Sequence, residues 1–419
     1  MSRETLPAVV VGAGAAGLMA AIAAARAGEP VLVLEGKEDG GRKILISGGG
    51  RCNVLPSALA PGRFQSESSP HLVRRMLEAW PLVAQRRFFE EELGLPLVLE
   101  AETGKLFPAS NRARDVRDRL VEGARQAGAE FRFRERVLDL LPAGDGSWTV
   151  QLAEGGLRAS RVIVATGGLS VPATGSDGVG LAIARRLGHT IHETYPALTP
   201  LTADPPVHAA LAGVSLTVEV SAGRGRARLA SRGGMVFTHH GYSGPAILDL
   251  SHVAVRSRLA GTPVELLVNW APDLDAAEWE SLLTERSARG VLTVLRDRLP
   301  ARLAERLLEE VGVPEGCQLS QLPRAARRAL VQRLTAYVLP WTGDEGYRKA
   351  EVTGGGVALE ELHPATLESR RHPGLFFCGE ILDAFGPIGG HNFSWAWSTG
   401  RTAGLAGKTK EAGPEARLS

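Results

Sequence analysis

Four short apolar runs punctuate this chain, at residues 8–11, 31–34, 162–165 and 375–378, and each passes into a turn containing glycine. Runs without polar alternation fit strands buried on both faces of a parallel sheet. Between the first two lies 18–27, a helix-favouring stretch that stops at Gly28. Phe131 to Val137 alternates like a half-buried strand, and 178–187 reads as a helix with Asp177 as its N-cap and Gly188 as its stop. From Pro196 to about Trp270 the pattern changes to short alternating segments such as 214–220, 227–230 and 264–268, broken by Gly and Pro, which predicts an antiparallel β unit. Residues 274–339 then carry helical periodicity, with amphipathic stretches at 289–311 and 323–338. The expected fold class is α/β: a Rossmann-like nucleotide domain interrupted by an inserted β-rich plus helical domain. Its expected bounds are 1–192 with 342–410 for the discontinuous nucleotide domain, 193–272 for the β insertion, 273–341 for its helical part and 411–419 for a frayed tail.

The turn after the first run is Gly12-Ala-Gly14-Ala15-Ala16-Gly17. In such a turn the first glycine permits the tight bend, the second lets backbone approach a pyrophosphate, and the third lets helix and strand pack closely. The phosphates then face amide N–H groups at the positive end of a helix dipole. Glu35 stands 18 positions after Gly17, at the tip of the second strand, where a carboxylate accepts both ribose hydroxyls of an adenosine and repels a 2′-phosphate. A dinucleotide is therefore expected, with Gly12, Gly14, Ala15, Ala16, Gly17, Glu35, Gly36 and Lys37 around its adenosine half. NADP as that nucleotide is excluded.

Three later segments favour FAD over NAD. The loop with Gly41, Arg42, Lys43, Ser47, Gly48, Gly49, Gly50, Arg51 and Asn53 suits wrapping along a pyrophosphate and ribitol chain. The third apolar run ends in Ala165, Thr166, Gly167 and Gly168, a small-residue turn over which a cofactor can pass, and Val137 is placed to meet the adenine. The fourth run ends in Gly379, Glu380 and Asp383, with carboxylates for ribitol hydroxyls. A glycine turn to Gly390 then opens a helix whose start, at Asn392 and Phe393, faces the pyrimidine end of an isoalloxazine. That dipole favours negative charge there.

On these residues the chain resembles the BaiN/RdsA-type NAD(P)/FAD-dependent oxidoreductases, also called YhiN-like flavoproteins. The matching blocks are VVVGAGAAGLMAA, GGRKILISGGGRCN, GKLFPASNRARDV, VIVATGGLS, GSDGVGLAIARRLGH, FTHHGYSGPAILDLS, EVTGGGVAL and LFFCGEILDAFGPIGGHNFSWAWSTG, from residue 8 to about 404. The resemblance implies one FAD, a fold related to the two-dinucleotide-binding flavoproteins, and an inserted β-rich domain; it implies no particular substrate. The chain departs from the family pattern at His240, Tyr242, His391 and Phe393-Ser394.

Composition narrows the chemistry. Lys and Arg number 48 against 46 Asp and Glu, a balance that provides no whole-protein field for nucleic acid or an anionic membrane. Neither partner is expected, and the oligomeric state is left open. Cys52, Cys317 and Cys378 are far apart, with no CxxC, so neither a redox dithiol nor a metal site is expected. Scattered thiols, no leader-like start and no run of membrane-spanning length point to the cytoplasm. Arg51 is expected on a phosphate, and Cys52 as a buried small residue rather than a flavin adduct. Proton-transfer candidates are His239, His240 and His391, since imidazole titrates near neutrality; each is equally readable as a structural residue.

The expected activity is FAD-dependent oxidation or reduction of an enone- or alkene-type C–C bond in a small metabolite, through hydride transfer at flavin N5. NAD(P)H is a candidate transient donor, without a second GxGxxG to hold it. The stretch Gly175-Ser-Asp-Gly178 also resembles flavoprotein subunits of fumarate reductases and 3-ketosteroid dehydrogenases, which favours the enone version. An amine oxidase, a flavin-dependent tRNA-modifying or RNA-binding protein, and a non-catalytic flavin scaffold remain the alternatives.

Overall fold

The computed structural model describes residues 5–223, 225, 228–285 and 287–407. The expected tail at 411–419 lies outside them. The chain divides into two compact units, Met1–Tyr195 with Val352–Ser419, and Pro196–Glu351.

In the first unit the apolar runs become one parallel sheet. Its strands are β1 (Ala8–Val11), β2 (Val31–Glu35), β3 (Ala129–Phe133), β4 (Arg161–Val164) and β5 (Leu375–Phe377), in the order β5-β4-β1-β2-β3. Val10 lies in register with Val33 on one side and Ile163 on the other. All residues of β1, β4 and β5 are buried, as two covered faces require. Two helices pack together on this sheet, α1 (Ala15–Arg26) and α2 (His391–Leu405). Ala16 to Ala25 of α1 are all buried, and apart from Leu18, Met19 and Ile22 the stretch is alanine and glycine. Small residues are what this packing demands: a Cβ at Gly400 of α2 would stand 2.3 Å from the Ala16 carbonyl oxygen.

The alternation over 131–137 does not form one strand. β3 ends at Phe133, Arg134 takes a left-handed backbone (φ 61°), and Val137–Pro142 starts a separate three-stranded antiparallel sheet with Trp148–Leu152 and Gly156–Ala159. A side-chain period of two cannot register a bend between two strands that share it.

The second unit is built on a seven-stranded antiparallel sheet among the described residues. Its order is Tyr337–Val338, Leu266–Asn269, Ser215–Ala222, Leu229–Phe237, Gly241–Ser243, Leu201–Thr202 and Gly343–Asp344. Gly343–Asp344 pairs with Leu201–Thr202, so the second unit extends beyond 342, and Ile191–Ala197 pairs with Val352–Val357. The stretch 289–311 is two helices, Val291–Arg296 and Ala301–Glu310, since Pro300 can only precede the second. Its own core joins sheet and helices through Val218, Val220, Phe237, Trp270, Trp279 and Leu307.

Candidate functional site

The carboxyl ends of β1, β4 and β5 meet at the N-terminus of α1, the edge where open α/β sheets bind ligands. Gly12 has φ +101°, and a Cβ there would stand 2.7 Å from the Ala165 carbonyl oxygen. One at Gly17 would fall 1.9 Å from the Gly12 carbonyl oxygen. Gly12 is thus demanded by contact between the first turn and the end of β4, and Gly17 by contact between α1 and the first turn itself. Gly14 is the N-cap of α1 and offers no capping side chain, and nothing lies within 4 Å of the position of its missing Cβ. First-turn amides of a helix have no intrahelical partner, so this open, uncapped helix start fits an anionic pyrophosphate.

Glu35 closes β2. Its carboxylate accepts from the Ala13 amide at 2.8 Å and the Lys37 amide at 2.9 Å. Burial raises its pKa, opposed by those two amides and by the Lys37 and Arg42 charges. A Cβ at Gly175 would stand 3.8 Å from the Glu35 Oε1, so the 175–178 turn borders the same spot. Gly36 lies against Arg136, which pairs with Asp177 at 2.8 Å. Asp177 stands one residue outside its helix: Gly178 is the N-cap, while Asp177 accepts from the Val179 amide at 3.1 Å. Val137 is buried at the start of its own strand.

Several expected cofactor contacts are engaged with one another. Lys43 Nζ donates to Glu380 Oε2 at 2.7 Å and to Ser170 Oγ at 2.6 Å. Thr353 gives Glu380 its amide at 3.1 Å and its hydroxyl at 3.0 Å. The same Thr353 hydroxyl accepts from the Leu169 and Ser170 amides, and a Cβ at Gly168 would strike it at 2.4 Å. This network ties the 40s turn, the turn after β4 and the turn after β5 together. Gly167 (φ +71°) abuts Ser176, and Thr166 abuts Gly180. Asp383 is buried and accepts from the Ser66 and Ser68 hydroxyls and the Glu67 and Ser68 amides at 2.9–3.1 Å, which spends its carboxylate on the 66–68 loop. Asn392 closes its own turn, with Oδ1 accepting from the Gly386 amide at 2.8 Å and Nδ2 donating to the Gly386 carbonyl at 2.9 Å. Phe393 stacks on Trp397 at 5.3 Å. Gly379 packs on Ala16, where a Cβ would meet the alanine methyl at 2.7 Å.

The loop at 47–53 runs through left-handed Gly48, Gly49 and Gly50, with open space beside the last two, while Ser47 turns back on the Ile44 carbonyl. Arg51 pairs with Glu100 at 3.1 Å and lies 4.0 Å over the Phe107 ring. Cys52 is fully buried, and burial pushes its thiol up to about 12, so it stays protonated at neutral pH. This loop and the 386–390 turn touch. A Cβ at Gly390 (φ +92°) would stand 2.6 Å from the Leu55 backbone and 2.9 Å from Asn53 Oδ1. His391 is buried in the same turn, and burial lowers its pKa to about 4, helped by Arg63 and opposed by the Ile388 and Ala58 carbonyls. A neutral imidazole suits its place at a helix N-terminus.

His239 and His240 lie in the second unit, exposed in the hairpin turn between Leu229–Phe237 and Gly241–Ser243. Their turn is closed by the Thr238 hydroxyl, which accepts from the Gly241 amide at 3.0 Å. His208 and His252 of that unit are buried, and His208 is bonded to the Tyr242 hydroxyl at 2.8 Å and the Tyr337 hydroxyl at 3.1 Å. Tyr337 donates in turn to Glu310 at 3.1 Å. Nothing in local pattern singles out His208.

In the first unit sequence reasoning also passed over Thr353, Ser170, Lys105 and Arg117. The Arg117 guanidinium meets Asp39 at 3.0 Å and the Gly40 carbonyl at 3.3 Å, and its chain fills the place of a Gly41 Cβ. Lys105, Arg117 and Thr353 fall in or beside motif blocks, which was the available signal.

The HI0933-like protein Rossmann domain family matches residues 6–406. A ribosomal RNA dihydrouridine synthase of Escherichia coli (strain K12) is 35% identical over 405 residues, spanning 94% of this chain and 96% of that protein. A 3-dehydro-bile acid delta(4,6)-reductase of Clostridium scindens is 32% identical over 404 residues, spanning 95% and 98%. Among solved structures, the open conformation of a flavocytochrome c3 fumarate reductase superposes with a TM-score of 0.51 at 16% identity, covering 97% of this chain and 78% of that one, a likeness of fold alone. The chain belongs to the HI0933-like Rossmann family and is an oxidoreductase of the flavoprotein type.

Proposed function

We propose that this protein binds FAD along the groove at the carboxyl edge of its parallel sheet and reduces a C=C bond conjugated to a carbonyl. The observation that carries this reading is the meeting of glycine turns at two helix starts: Gly12 against Ala165 and Gly379 against Ala16 at the start of α1, and Gly390 against Asn53 at the start of α2. In this reading the uncapped start of α1 holds the pyrophosphate, and Glu35 exchanges its amide partners for ribose hydroxyls. Lys43, neutralised by Glu380, holds the turns in place rather than a phosphate. Flavin bound there and reduced by NAD(P)H would supply a hydride from N5, with a proton from solvent completing the addition across the C=C bond.

The choice of reaction rests on the two relatives together. Their names, dihydrouridine synthase and delta(4,6)-reductase, both denote addition of two hydrogens across a C=C bond. Reduction of such a bond places negative charge on the conjugated carbonyl oxygen, which a protein stabilises with oriented donors. A small enone is the leading substrate. Uracil within ribosomal RNA is the second reading, favoured by the 35% identical relative.

The test starts with the visible spectrum of purified protein, which should carry flavin bands. Flavin reduced without oxygen should then be reoxidised by 2-cyclohexenone, or by uridine-containing ribosomal RNA with dihydrouridine as product. A colourless protein that takes up no added FAD would falsify the reading. Flavin reduced by amines but indifferent to both acceptors would replace it with amine oxidation.

A further inference from the structure

Beside the 386–390 turn, the first unit buries a polar atom without a partner. Asn53 is 8% exposed, its amide oxygen Oδ1 is buried, and no hydrogen bond reaches it. That oxygen stands 2.9 Å from the place of a Gly390 Cβ, at the N-cap of α2, a helix of 15 residues. A buried acceptor with no donor is costly unless a ligand supplies the donor. A second feature lies beside it. The space next to Gly389 is bounded by Lys105 Cε at 3.7 Å, His391 Nδ1 at 3.9 Å and Asn53 Nδ2 at 4.0 Å. Among the described residues no carboxylate lies within ion-pair distance of Lys105, because Glu100 opposite it on the neighbouring strand is taken by Arg51.

The pattern offered is a donor, an acceptor and a donor: the Lys105 ammonium, Asn53 Oδ1, and the Asn53 amide nitrogen or the first amides of α2. Its complement is acceptor, donor, acceptor, which is the CO–NH–CO edge of a cyclic imide. We propose that Asn53 and Lys105 form a recognition site for a cyclic imide edge, in which Asn53 Oδ1 accepts the ring N3–H and Lys105 faces a flanking carbonyl. The left-handed backbone at Gly389 and Gly390 keeps side chains out of that space. The imide edge has two sources here, the pyrimidine ring of the isoalloxazine and a uracil base. The inference deepens the proposed function and rests on it for the first source only.

The test places the change on the ligand, so it does not depend on a variant folding. Binding of FAD and N3-methyl-FAD is compared on flavin-free protein, and binding of uridine and N3-methyluridine is compared by calorimetry, with and without FAD. If the flavin is the source, N3-methylation weakens FAD at least ten-fold, and Asn53→Ala makes the two flavins bind alike. If uracil is the source, the flavins bind alike in the unaltered protein, while uridine binds and N3-methyluridine does not, a difference again lost in Asn53→Ala. Lys105→Met weakens the recognised ligand and Lys105→Arg retains it. Indifference to methylation in both pairs overturns the inference. Failure to take up FAD removes the functional reading instead, and the uridine pair then decides the imide site alone.

Discussion

At the residue scale, the site is specified by atoms that are missing as much as by atoms present. Gly17 is the sharpest case, since a Cβ there would fall 1.9 Å from the Gly12 carbonyl oxygen. Gly17→Ala should therefore destabilise the protein by about 3 kcal/mol through overpacking and abolish FAD uptake, measured by urea unfolding and flavin absorbance. His391 makes a pH prediction. Its folded-state pKa of about 4 lies below the ordinary 6.5, so the unfolded chain binds the proton more readily. This contribution is complete above about pH 6.5 and is lost as pH falls toward 4, to a total of about 3 kcal/mol. His252, which burial also holds at about 4, acts in the same direction in the second unit. His391→Gln should flatten the fall in stability between pH 7 and 5 without removing all of it; an unchanged slope would show that His391 is not buried neutral. Glu35 and the glycines of the first turn were legible from spacing alone. Asp383 and Asn392 were legible as polar residues at a turn, but their partners, the 66–68 loop and the Gly386 backbone, were not. A side chain's partner depends on what the fold brings beside it.

At the element scale, the pairing of α1 with α2 sets where the first turn stands relative to the last. Gly400 and Gly404 of α2 lie on the Ala16 and Ala20 backbone, where Cβ atoms would stand 2.3 and 2.5 Å from carbonyl oxygens. Gly400→Ala should separate the helices, lower stability by about 1–3 kcal/mol and weaken FAD binding in parallel. If thermal unfolding and flavin affinity of Gly400→Ala matched the unaltered protein, the packing account of the site would be wrong. Strands read as uniform apolar runs were correctly expected as buried, because a parallel sheet covered on both faces needs no alternation. The alternation over 131–137 predicts one strand where the structure has two, and the amphipathic pattern over 289–311 marks no boundary where the structure has two helices. One is divided by the left-handed Arg134, the other by Pro300, and periodicity continues across both breaks.

At the scale of the whole molecule, two separate hydrophobic cores imply that unfolding is not a single two-state transition. FAD at one hundred times its dissociation constant should add about 2.7 kcal/mol to the unit that binds it, or roughly 5–10 °C in Tm for a unit of this size. Calorimetry should show one transition moving with FAD and one staying, and a shift of both by the same amount would mean the units unfold together. Among the described residues no helix is long and apolar enough to cross a membrane. The expectation that nucleic acid plays no part is not carried forward, since a near-neutral net charge says nothing about a single base in a pocket and the 35% identical relative is named for ribosomal RNA. What the chain by itself determined is the nucleotide-binding frame: strand, glycine turn, helix, strand and terminal acid are local patterns, and local sterics write them directly into the order of residues. What only the tertiary structure decided is which distant groups face each other. Lys43 lies 337 positions from Glu380 and pairs with it, and Asn53 reaches Gly390 with its oxygen unsatisfied, because contacts between separate turns arise from packing and leave no period in the sequence.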